Sequence, residues 1–387
     1  MNSSAFDLDV TFTGNTDGDI LTPFSVPDYR ELRSATTGNS DGVGFEIDIR
    51  NSGVDTLVAT IMAGSGLVRQ EQLPAPLRAV GRHQWQWDGF GTNGVLDTRI
   101  LKEPSLSLEF LATGGGVSKK KTLRFSNECA EQDWIDIRID RTRKAVFVEL
   151  RINVKDGGQS GAGGLPPRGV QAMPRYRGIP ANDVRRQKHI RTRSLQALKG
   201  LLQLGLKRYW SRRIVVGGAS YRVQVDPVFA TRDAMDDIDV RYNTNGAWAR
   251  SSNPGSVRGF YSLFGNLVPE QVVYNVGWIK YGNGWAYIMP AAADQEFSET
   301  AAHEIGHEIL SAYGGDAYSY GHRGSSTVVT QEPRPLNAGG VSYPGSGEID
   351  LMKYYHGPRP PGFFSRLSAS EQDVKSLIWL ARVRFNA

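Results

Sequence analysis

Asp294-Gln-Glu-Phe-Ser-Glu-Thr-Ala-Ala-His303-Glu304-Ile-Gly-His307-Glu-Ile-Leu-Ser-Ala312 is the stretch that orders the rest of the chain. Phe297, Ala301, Ile305 and Ile309 recur at helical spacing and form an apolar stripe. Asp294 is placed to cap the helix start, Glu296 and Glu299 favour its first turns, and Gly314-Gly315 stops it. Residues four apart on an α-helix share a face, so His303 and His307 present two imidazoles to one point. That spacing suits a divalent metal on nitrogen ligands, with Zn2+ the expected ion. Glu304 is not a ligand in this reading; it is the base that takes a proton from the attacking water. A core helix with two hydrogen-bonded histidines is the plainer alternative. Against it, His303, His307, His322 and His356 crowd one region of a chain that holds 6 histidines.

A catalytic zinc site takes three protein ligands and leaves one position open. Leu310 and Tyr313 stand where the long signature H-E-x-x-H-x-x-G-x-x-H needs Gly and His, so that form is excluded. The candidates for the third ligand are Glu348, His322, His356, Asp350 and Asp316. Glu348 is the expected one, in Gly345-Ser-Gly-Glu-Ile-Asp-Leu-Met-Lys-Tyr-Tyr355, and His322 is the runner-up, in the polar, Gly-rich loop 318–326. If it is not a ligand, His322 is expected to stabilise the tetrahedral intermediate, and Tyr354 or Tyr355 to steady the oxyanion. Met352 is expected under the metal and Asp350 behind His303 or His307. Ordinary core packing is the competing use of Met352, Tyr354 and Tyr355. His356 precedes Gly-Pro-Arg-Pro-Pro and reads as a surface residue.

At 387 residues, 40% hydrophobic and 22% charged, the chain has room for two packed domains. Cys129 stands alone, so no intramolecular disulfide forms. The N-terminus lacks a basic segment and a long apolar run, so no Sec signal peptide is expected. No stretch is apolar enough for a transmembrane helix. Synthesis in the cytoplasm, with export or delivery into a target cell by a route independent of Sec, is the expectation. The net charge of +5 is a small excess for this length, and no nucleic-acid partner is expected.

Residues 1–155 read as β. Period-two runs at 6–12, 43–49, 56–62, 106–111, 121–125, 134–139 and 146–152 alternate with turn-rich segments, which argues for a sandwich. Gln84-Trp-Gln-Trp-Asp-Gly-Phe-Gly-Thr-Asn-Gly94 resembles the W-D-G-x-x-x-x-G loop of immunoglobulin-like domains in flagellar hook-cap proteins. Trp85 and Trp87 read as core or corner packing before they read as a sugar platform. Residues 156–175 read as a Gly/Pro linker. Residues 181–212 read as one long helix, 213–225 and 236–241 as strands, and 274–280 with 285–289 as the last hairpin of a sheet. Ser368-Ala-Ser-Glu371 reads as a capping box opening a C-terminal helix.

The fold class expected is thus multidomain, an N-terminal all-β sandwich followed by an α+β metallopeptidase domain over residues 176–387. A strand before the metal helix, with a glutamate tens of residues after it, resembles the zincins, and Glu348 resembles the third ligand of the Glu-ligand zincins. Together with His303, Glu304, His307 and the Gly-Glu-Ile-Asp-Leu-Met-Lys-Tyr-Tyr stretch, this half is similar to zincin metallopeptidase domains of bacterial type VI secretion effectors. The resemblance implies a zinc-dependent endopeptidase acting on a protein or peptide, with a secretion spike or tube component and an immunity protein as partners. A zinc amidase on cell-wall peptide and a non-catalytic secretion adaptor are the alternatives.

Overall fold

The computed structural model describes residues 6–14, 20–30, 41–161, 191–252, 270–328 and 331–386. It divides into two compact units. The first comprises Met1–Glu149, Arg213–Gln224 and Val374–Ala387, and the second Leu150–Arg212 and Val225–Asp373. The units therefore interleave along the chain, where the sequence suggested a single cut at 156–175. Arg213–Val216 and Ala219–Phe229 are strands, as expected of 213–225, and residues 213–224 fall in the first unit. Among the described residues, no helix is long and apolar enough to cross a membrane.

The first unit is mainly β. A four-stranded antiparallel sheet, built of Gly66–Gln72, Thr56–Ala63, Leu106–Gly114 and Val117–Arg124, faces a three-stranded one of Asp7–Gly14, Val43–Arg50 and Gly81–Trp87. Alternation drives this arrangement: in Val43–Arg50, every second side chain is buried. Phe45 and Trp85 of one sheet meet Phe110 of the other at ring-centroid distances of 6.4 and 5.5 Å. Trp85 and Trp87 are strand residues, both buried, and so they pack the core. The Trp-Asp-Gly turn is tied by Trp87 Nε1 donating to Phe90 O at 3.0 Å and Arg141 to Asp88 at 2.5 Å.

The second unit is α/β. The chain enters it inside the strand Ala145–Ser160 (β1), which runs through the start of the expected linker. Gly157-Gly158 does not end the strand, because a register shift between Asp156 and Gln159 absorbs the two glycines. The rest of that linker, residues 162–175, lies outside the described residues. β1 pairs in parallel with Met235–Ala247 (β2), and β2 in parallel with Gln271–Tyr281 (β3). Gly284–Ile288 (β4) returns antiparallel to β3 and ends the sheet order, which makes it an edge strand. The hairpin turns at Gly282, whose φ of +55° a side chain would strain.

Two helices pack on each other in this unit. Leu195–Trp210 (α1) is capped by Ser194, whose Oγ accepts from Ala197 N at 3.1 Å. The helix expected at 181–212 is therefore shorter, and residues 181–190 lie outside the described residues. Pro290–Gly314 (α2) is the motif helix and starts four residues earlier than expected. Pro290 opens it, as its fixed φ and missing N–H allow at a first turn. Asp294 is not the cap; it receives Arg193 at 2.6 Å and the Tyr274 hydroxyl at 2.8 Å. At the far end Gly315 takes a φ of 78°, and its N–H bonds Ser311 O. A Cβ on Gly205 of α1 would stand 2.0 Å from the carbonyl oxygen of Ser298 on α2, so glycine sets how closely these helices approach. Ser370, not Ser368, caps the last helix, Glu371–Leu380, accepting from Asp373 N at 3.1 Å.

Candidate metal centre

His303 and His307 lie one turn apart on α2, 8% and 1% exposed, with ring centroids 4.7 Å apart. His322 joins them from the loop after the helix and is 0% exposed. Its ring centroid lies 5.2 Å from that of His303 and 4.8 Å from that of His307. One ring nitrogen from each falls within 4.8 Å of the other two, a set that can hold a metal ion.

The outer hydrogen bonds fix which nitrogen faces inward. His303 Nδ1 donates to Leu351 O at 2.8 Å, since a carbonyl only accepts. Ser319 gives its hydroxyl proton to His307 O at 2.6 Å and so accepts from His307 Nδ1 at 3.1 Å. Ser326 donates to Tyr320 O at 3.2 Å and accepts from His322 Nδ1 at 2.7 Å. All three Nε2 atoms are thereby left as lone-pair donors facing inward, the arrangement by which an outer partner orients a metal-binding imidazole. Burial holds all three rings below the usual histidine range, with His322 pushed down to about 2 and His307 lowered further by its two imidazole neighbours. Neutral imidazoles are the form a metal requires. The set can hold a metal ion, and one pair has the spacing of tetrahedral nitrogen ligands, which at roughly 2.0–2.1 Å from an ion stand roughly 3.3–3.4 Å apart. His303 Nε2 and His322 Nε2 are 3.2 Å apart.

The loop that delivers His322 bends sharply. His322 and Arg323 take φ values of 46° and 53°, left-handed conformations that cost of order 1–3 kcal/mol each. Hydrogen bonds hold them: Ser325 Oγ donates to His322 O at 2.8 Å, and Ser326 N to Gly321 O at 3.1 Å. Arg323 reaches Asp350 at 2.5 Å and the buried Asp373 at 3.1 Å. This pairing joins the loop of the third histidine to the segment whose Leu351 carbonyl orients the first.

Glu348, the expected third ligand, is not brought to the centre. It is 64% exposed and pairs with Arg212 at 3.0 Å. The polar residues 345–348 form an exposed loop, and burial begins at Ile349. The stretch nevertheless serves the centre in three ways. Leu351 orients His303. Met352 packs under Gly306, where a Cβ would lie 2.5 Å from its sulfur. The Tyr354 ring stacks on His322 with centroids 3.7 Å apart. Asp350 acts at one remove, holding Arg323 and accepting from Met352 N at 3.0 Å. Tyr355 donates no bond to the centre; its hydroxyl accepts from Asp350 N at 3.0 Å. His356 bonds Arg334 O at 2.5 Å and Asp316 receives Ser311 at 2.6 Å, so neither joins the set.

Glu304 is half-buried beside the histidines, and desolvation pushes its carboxyl up to about 8, with Arg250 drawing it back. A cleft of about 450 Å³ reaches this point, lined by Arg250, Ile288, Glu299, His303, Glu304 and Tyr354 among others. Ile288 belongs to the edge strand β4. Arg250 is the site residue that the sequence reading did not single out; it stands on an irregular segment 53 residues before His303, where no pattern flags it.

No family model matches the chain, and no curated protein matches it. Among solved structures, the crystal structure of an engineered protein matches 30% of this chain and 19% of its own length, at 10% identity and a TM-score of 0.17. That likeness is too slight to carry a fold or a function, so the chemistry of the three histidines and Glu304 stands on its own.

Proposed function

We propose that the second unit is a zinc-dependent peptidase of the zincin kind, with His303, His307 and His322 as the metal ligands. The convergence of three inward Nε2 lone pairs beside a half-buried glutamate that lines a cleft carries this reading. Structural zinc sites are closed by four protein ligands, whereas catalytic ones keep three and an open position. Among the described residues, three histidines form the set. Zinc bound there would act as a Lewis acid on the scissile carbonyl and lower the pKa of water.

The chain's own residues supply the rest. Glu304 takes a proton from the attacking water and passes it to the leaving amine. The water's oxygen bonds the carbonyl carbon, then the C–N bond breaks, leaving a carboxyl and an amine. The edge strand β4 is where an extended peptide would add to the sheet, the β-augmentation mode of binding. His322 as a ligand is no longer free to steady the oxyanion, which leaves Tyr354 for that role. Delivery by type VI secretion rests on the resemblance alone and calls for a secretion assay. Glu304→Ala tests the chemistry: metal content should stay at the wild-type level while cleavage of a denatured protein such as casein disappears. A variant that cleaves normally contradicts the mechanism.

A further inference from the structure

Arg250 is held at the cleft by backbone clamps on both sides. Trp248 N donates to Lys280 O at 2.9 Å, and Asn275 Nδ2 to Ala249 O at 2.9 Å. On the other side Ser252 and Gln271 exchange backbone bonds at 2.9 Å, while Gln271 Nε2 donates to Arg250 O at 3.0 Å. Residues 248–252 thus run fixed along β3, and the Arg250 side chain enters the cleft that His303, Glu304 and Tyr354 line. Its Nη2 lies 3.2 Å from Gln331 Oε1 and 3.5 Å from the Tyr354 hydroxyl. The Tyr354 ring in turn lies 5.8 Å from His303 and 3.7 Å from His322, centroid to centroid. A guanidinium so close to a centre that would take a dication is repelled by it unless an anion comes between. In peptide hydrolysis such an anion forms transiently, when the C=O π pair moves onto oxygen as water adds to the carbonyl carbon.

We infer that Arg250 is a catalytic residue whose guanidinium, beside the Tyr354 hydroxyl, receives the oxyanion of the tetrahedral intermediate. This rests on the peptidase reading. When the electron pair returns to re-form C=O, the C–N bond breaks, the proton held by Glu304 goes to the leaving nitrogen, and Arg250 is released. A guanidinium preorganised in this way acts on charge that is absent from the ground state, so it raises kcat more than it tightens substrate binding.

The test compares wild type, Arg250→Gln and Arg250→Lys on a fluorogenic peptide found by screening a random library. Binding of a phosphinic pseudopeptide of that sequence, which copies the tetrahedral geometry, is measured by calorimetry. Arg250→Gln should keep its metal, lose about 10²–10³-fold in kcat with KM little changed, and lose phosphinate affinity by a comparable factor. Arg250→Lys should recover part of both, since it keeps the charge but not the planar fork. Unchanged kcat overturns the inference while leaving the peptidase intact. A rise in KM alone overturns it in favour of ground-state anchoring of a carboxylate, and loss of metal makes Arg250 structural. Wild-type protein that binds zinc and cleaves no peptide overturns the peptidase reading, and this inference with it.

Discussion

The Nε2 atoms of His303 and His322 stand 3.2 Å apart, each with its own Nδ1–H committed to an outward acceptor. Two lone pairs at that distance repel unless a cation lies between them. Metal should therefore stabilise the fold as well as serve the chemistry. At zinc concentrations about 100 times Kd, ligand linkage contributes roughly 2.7 kcal/mol. Thermal unfolding followed with and without a chelator should show a clear drop in Tm on metal removal, reversed by zinc. An indifferent Tm would mean the three rings are a packed cluster and nothing more.

Arg323, the residue after His322, bridges Asp350 and the buried Asp373. Replacing it by Met leaves two carboxylates without their cation, at a cost of about 3–5 kcal/mol. The loss should depend on pH. Burial already raises Asp373 to about 6, and Arg323 is what draws it down. Without the arginine its folded pKa moves further above the unfolded value. Stability of the variant is then best retained below the unfolded pKa and is lost as pH rises through the folded one. Urea midpoints at pH 5 and pH 8 check this: the gap to wild type should be wider at pH 8.

Gly205 and Gly306 make a matched pair of close contacts. A Cβ on Gly205 meets the Ser298 backbone at 2.0 Å, which cannot yield without moving a helix. A Cβ on Gly306 meets the Met352 sulfur at 2.5 Å and Trp210 at 2.8 Å, and the methionine can turn aside. Gly306→Ala should cost about 1–3 kcal/mol by overpacking, and Gly205→Ala more. Denaturant midpoints of the two variants should rank in that order, and the reverse order would mean the α1–α2 approach is softer than its geometry implies.

Much of the fold was legible in the sequence. The seven strand segments read in the first 155 residues all correspond to strands; in Val43–Arg50 and Leu106–Gly114 buried and open side chains alternate, whereas Ile135–Asp140 is buried nearly throughout. Gly66–Gln72 was missed, since its mostly exposed face carries no apolar alternation. Local rules failed where distant residues decide. Asp294 resembled an N-cap but is held by Arg193 and Tyr274, brought from far along the chain. That His322, and not Glu348, lies beside His303 and His307 depends on a left-handed bend at His322 and Arg323, which no periodicity reveals. Arg250 gave no signal, because its place depends on pairing along β3.

Zinc stoichiometry of purified wild type, His322→Ala and Glu348→Ala, measured by elemental analysis after dialysis against metal-free buffer, tests the central claim most directly. Wild type and Glu348→Ala should each retain close to one zinc per chain, and His322→Ala should retain little. Zinc lost from Glu348→Ala and kept by His322→Ala would contradict the three-histidine centre.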